Sequence, residues 1–195
     1  MSIRVTRLAV AAAALLLVVA GSCAERSSPP SESGPAKAVT VSSNESGPAQ
    51  AVTVRVVDEA EFAEAIRQYR GKVVLVDIWA TWCLNCLELF PHTVELSRQF
   101  ADRGLVVVSL SMDDPEEQAA VLARLKSNKA TFDNFISRYG GSDQSADAFG
   151  LEDLILPKYR LYDRAGQVHK TLRSSEGPLN AEDIDRAVEA LLGPG

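Results

Sequence analysis

Two nearly uninterrupted apolar runs, VVLVDIWA (residues 73–80) and LVVVSLS (residues 105–111), constrain this chain more than any other feature. They are strand length, and a strand that is apolar on both sides must be covered on both sides. The surrounding patterns supply the cover. EAEFAEAIRQY (59–69) is amphipathic, Asp58 is placed to cap it, and the strand pattern VTVRVV (52–57) precedes it. A helix is expected over residues 83–103, kinked at Pro91 because proline removes a helix donor. DDPEEQAAVLARLKS (113–127) opens with Asp and carries a proline in its first turn, as a helix should. LPKYRLYD and QVHKTLR flank the turn from Asp163 to Gly166 and read as a hairpin. A last helix, capped by Asn180, carries Ile184, Val188, Leu191 and Leu192 on one stripe. Strand and helix alternation ending in a hairpin implies an α/β fold, a central mixed sheet with helices on both faces. Residues 129–149 fit no regular pattern, and Phe132, Phe135, Tyr139 and Phe149 within them suit either the core or a partner surface.

The N-terminus has the layout of a secretory signal. Residues 1–22 carry Arg4 and Arg7, then the apolar stretch LAVAAAALLLVVA, then Gly21 and Ser22 before Cys23. The stretch is shorter than the roughly 20 residues of a bilayer span. It resembles a bacterial lipoprotein signal, which implies a lipid on Cys23. Export places the chain in an oxidising compartment of the cell envelope, where disulfides persist. Residues 23–51 are rich in Ser, Pro, Gly and Ala and too poor in large apolar groups to order themselves. Within and beyond this tether ESGPAKAVTV (32–41) recurs as ESGPAQAVTV (45–54). Two copies are too few for a solenoid. The folded domain is therefore expected over residues 52–195, and the net charge of −6 argues against a nucleic-acid footprint.

Three cysteines in an exported chain leave one over, and acylation of Cys23 leaves Cys83 and Cys86 as a pair. As a staple, a bridge closing so small a loop contributes only about 2 kcal/mol. As a metal site it lacks ligands: there is no second CxxC, and His92 and His169 are the only histidines. Redox exchange suits the spacing better. Cys83 falls at a helix start, where free N–H groups and the macrodipole favour thiolate over thiol, and Cys86 lies one turn deeper. No metal and no cofactor is called for.

The segment VLVDIWATWCLNC followed by LFP, with a proline-bearing strand and D-x-x-G later (Pro157, Asp163 to Gly166), resembles the thioredoxin fold. Within it, the chain is most similar to the membrane-anchored extracytoplasmic thiol-disulfide oxidoreductases of bacteria, the TlpA and ResA type. The resemblance implies that Cys83 exchanges with a partner's sulfur and Cys86 resolves the mixed disulfide. It implies that Asp77, six residues before Cys83, is a buried acid exchanging protons with Cys86, its pKa raised by burial. It places Trp82 beside the nucleophile, Pro157 as a cis-proline, and the Leu156 backbone against the substrate chain. Exported protein thiols and disulfides, and a protein that donates or accepts electrons, are the partners implied.

The chain also departs from the pattern. Asn85 replaces a proline common before the second cysteine and offers Cys83 a backbone donor; Leu89 replaces a glutamate, and Ile155 a glycine. His92 reads as an exposed helix residue without a role. The alternatives are a polypeptide-binding module whose CxxC has little turnover, and a peroxidase, for which the P-x-x-x-T-x-x-C pattern is missing around Cys83.

Overall fold

The computed structural model describes residues 51–194. The signal, Cys23 and nearly all of the duplicated tether lie outside the described residues. Elements follow in the order β1 (Arg55–Val57), α1 (Glu59–Arg67), β2 (Val73–Trp79), α2 (Leu84–Gln99), β3 (Leu105–Ser111), α3 (Gln118–Ser127), β4 (Asp133–Ser137), α4 (Asp143–Ala148), β5 (Lys158–Tyr162), β6 (Val168–Arg173) and α5 (Ala181–Leu192). The six strands form one sheet in the order β1-β4-β3-β2-β5-β6. Pairing is parallel from β1 to β2 and antiparallel across β2, β5 and β6, so the sheet is mixed as expected.

All seven residues of β2 are buried, as its continuous apolar run requires. Side chains alternate across a strand. Val73 and Leu75 accordingly pack with Ile184, Ala187 and Val188 of α5, while Val74, Val76 and Ile78 join a second cluster with Phe62, Ala65 and Ile66 of α1. Helices thus cover both faces. Asp58 and Asn180 close capping boxes with Glu61 and Asp183, satisfying helix-start donors that have no intrahelical partner.

Several boundaries differ from the sequence reading. β1 begins at Arg55 rather than Val52, because the Thr53 and Val54 carbonyls accept side-chain donors from Asn134 and Gln118 instead of pairing in a ladder. α2 stops at Gln99 and runs through Pro91 as one continuous helix. The helix after β3 starts later, at Gln118, behind a short 3-10 turn over Pro115–Glu117. Residues 129–149 hold a strand, β4, inserted between β1 and β3, followed by α4. Phe135 and Phe149 each meet Phe62 edge-on, with ring centroids 5.7 and 5.6 Å apart. The aromatics of this stretch therefore serve the core.

Candidate active site

β2 ends at Trp79, three residues turn, and α2 begins with Cys83 as its N-cap. The turn is fastened from below. Asp113 is fully buried and accepts the Thr81 N–H at 2.9 and 3.1 Å, the Thr81 hydroxyl, and the Ser111 hydroxyl at 2.5 Å. Asp113 reads in sequence as the opening residue of a helix; it is a brace for the loop two residues ahead of Cys83. Gly140 and Gly141, also unmarked in the sequence reading, close the other side. A Cβ on Gly140 would stand 2.0 Å from Asp114 Oδ1, and one on Gly141 3.5 Å from the Trp82 ring.

Cys83 and Cys86 form a disulfide. Cys83 is 8% exposed and Cys86 1%. The Cys86 N–H points at Cys83 Sγ, 3.2 Å away. The donor to Cys83 in this state is thus Cys86, not Asn85, whose side chain is exposed.

β5 runs antiparallel beside β2, with Lys158 opposite Ile78 and Tyr159 opposite Asp77. That register brings the loop before β5 to the same end of the sheet as the CxxC turn. The Leu156–Pro157 bond in that loop is cis. Asp153 fastens the loop: its Oδ1 accepts the Ile155 N–H at 2.9 Å and pairs with Lys158, whose side chain is 1% exposed. The Lys158 hydrogen bond holds the Asp153 carboxyl below its ordinary pKa. On the two loops together, Trp82, Leu84 and Ile155 are 58%, 75% and 51% exposed, an apolar rim around the disulfide.

Asp77, two residues before the end of β2, is 1% exposed. Burial raises its pKa from 3.8 to about 7, against the Thr93 hydrogen bond, which pulls it down. Thr93 Oγ1 donates to Oδ2 at 2.6 Å. Among the described residues Oδ1 and the buried Tyr159 hydroxyl complete no hydrogen bond. His92, one residue before Thr93, is half-buried rather than exposed, and its Nε2 lies 2.7 Å from Asp185 of α5. Leu89 packs against the cluster shared with α5. The described residues hold no group of three or more His, Cys, Asp or Glu able to bind a metal, and no helix long and apolar enough to cross a membrane.

The family model described as Redoxin matches residues 46–188, a span that includes the CxxC turn, Asp77 and the cis-proline loop. The chain belongs to the Redoxin family. Relatives of this Redoxin chain include the thiol-disulfide oxidoreductase ResA of Geobacillus thermodenitrificans, 29% identical over 126 residues, which cover 65% of this chain and 67% of that one. Protein DipZ of Mycobacterium bovis is 32% identical over 99 residues, but the match spans 44% of this chain and only 14% of DipZ. Among solved structures, a thiol:disulfide interchange protein of the thioredoxin family from Chlorobium tepidum TLS superposes with a TM-score of 0.53 at 25% identity, covering 65% of this chain and 84% of that one. The Redoxin chain has the thioredoxin-like α/β fold.

Proposed function

We propose that this chain is a thiol-disulfide oxidoreductase that exchanges the Cys83–Cys86 disulfide with protein thiols and disulfides. The observation that carries the reading is the asymmetry of the pair: one sulfur at the rim and at a helix start, the other closed off beneath it. In the reducing direction, the Cys83 thiolate attacks a partner's disulfide, forming a mixed disulfide and releasing one partner sulfur as thiolate. Cys86 then loses its proton to Asp77 and attacks Cys83. The Cys83–Cys86 bond forms, the bond to the partner breaks, and the partner leaves with the two electrons. The reverse sequence oxidises a partner dithiol. Trp82, Leu84 and Ile155 offer apolar contact to the partner, and the Leu156 backbone offers strand-like hydrogen bonds.

The partners proposed are exported proteins, with the domain held at the outer side of a membrane through lipid on Cys23 and the tether behind it. Metabolic labelling with a palmitate analogue tests the anchor: label equal in wild type and Cys23→Ser, or absent from both, would remove it. For the activity, insulin reduction in dithiothreitol should be accelerated by wild type and not by Cys83→Ser. Cys86→Ser should instead accumulate mixed disulfides. A wild-type chain no faster than the Cys83→Ser variant would leave a polypeptide-binding module with an idle disulfide.

A further inference from the structure

The Asp77 carboxyl is buried without a cation beside it. From α2 the group that meets it is Thr93; from β5 its register partner is Tyr159; its register partner on β3 is Ser109, whose hydroxyl is turned to Asn134 at 2.8 Å. The basic residues next to Tyr159 and Thr93 are engaged elsewhere, Lys158 with Asp153 and His92 with Asp185 of α5. No charged side chain contributes to the position of the Asp77 pKa among the described residues.

We propose that Thr93 and Tyr159 are positioning residues whose two hydroxyls stand in for a cationic partner and hold the Asp77 carboxylate ready to take the Cys86 proton. This rests on the reading of Asp77 as the proton acceptor given above. Thr93 occupies Oδ2 and so fixes the carboxyl plane, leaving Oδ1 as the receiving oxygen. Tyr159 has no exposed surface and is held opposite Asp77 by the strand register, so two polar atoms without partners, its hydroxyl and Oδ1, belong to directly paired residues. A phenol both donates and accepts, so it can donate to Oδ1 while the carboxyl is ionised and turn away once Oδ1 carries the proton. The choice of hydroxyls over a cation has a chemical consequence. A cation within about 4 to 6 Å lowers a carboxyl pKa by roughly 1 to 3 units, leaving a weaker base. Hydroxyl donors steady the carboxylate while leaving it basic near neutrality, where a proton acceptor works best.

The test is a carbon-13 titration of the Asp77 carboxyl in the reduced full chain, its signal assigned by its loss in Asp77→Asn. Thr93→Val and Tyr159→Phe nearly keep side-chain shape, and Thr93→Ser keeps the donor. Each lost donor should raise the midpoint by about half a pH unit or more, and Thr93→Ser should leave it in place. The pH midpoint for resolution of a Cys83 mixed disulfide should move up with it. A carboxyl midpoint unchanged in either variant overturns the role of that hydroxyl. A carboxyl midpoint that moves while the kinetic midpoint stays put would instead overturn Asp77 as the acceptor and leave the tuning standing.

Discussion

Asparagine in place of Asp77 keeps the outline of the side chain and removes its titration. Its carbonyl oxygen accepts the Thr93 hydroxyl as Oδ2 does, and its amide faces Tyr159, so the exchange need not strand a polar atom. What changes is the charge. Burial lifts the Asp77 pKa from 3.8 to about 7. The folded chain therefore binds more protons than the unfolded chain between those values, and stability falls as pH rises through that window. The loss begins near pH 4 and is complete above about pH 7. A shift of about three units, at about 1.4 kcal/mol each, makes it about 4 kcal/mol. Asp77 is wholly enclosed, so solvent does not screen the effect. Urea unfolding of the oxidised full chain is the assay. Asp77→Asn should exceed wild type by about 4 kcal/mol at about pH 8.5 and by less than half of that at about pH 5. An advantage that is flat across that range would refute the buried-charge argument.

Asp113→Ala strips the Thr81 N–H of its acceptor and should cost about 1 to 3 kcal/mol in the same unfolding assay. It should also change the alkylation rate of reduced Cys83, because the loop that presents it loses its brace. In the reduced wild type, iodoacetamide at neutral pH should modify Cys83 before Cys86, as peptide mass spectrometry reads, in keeping with their 8% and 1% exposure. Asn85→Pro removes an N–H other than the one directed at Cys83 Sγ, which comes from Cys86. A glutathione titration should therefore find the reduction potential displaced by less than about 15 mV, half of what 1.4 kcal/mol gives for a two-electron couple.

The parts of this fold that are local in sequence were legible there. The β2 and β3 runs, the Asp58 and Asn180 caps and the hairpin of β5 and β6 all carry their cause within a few residues. β4 escaped because DNFIS is short and begins with polar residues. Its Asn134 is buried only because it donates to the Thr53, Ala130 and Phe132 carbonyls and its amide oxygen accepts from Ser109, partners the local pattern does not display. Asp113 reads as the start of a helix for the same reason: an acid shortly before a proline suits a helix start, and its partner Thr81 is 32 residues away. At the site, the resemblance pointed to Cys83, Cys86, Asp77 and Pro157, while the placement of Thr93 and Tyr159 against Asp77 needed the packing of α2 and the pairing of β2 with β5.

The energetics of Asp77 bear on its purpose. Domains of this size are stable by roughly 5 to 15 kcal/mol, so a carboxylate that costs about 4 kcal/mol above neutrality takes a large share of the total. Asparagine would satisfy Thr93 equally well and offer Tyr159 a donor, without that cost. The one capacity that aspartate has and asparagine lacks at this position is to gain and lose a proton near neutral pH. The resolving step proposed for Cys86 calls for that capacity, since Cys86, 1% exposed, has little water to receive its proton. The buried acid is therefore better accounted for by the proposed proton transfer than by structure, and the hydroxyls around it by the need to steady its ionised form without the larger loss of basicity that a cation would bring.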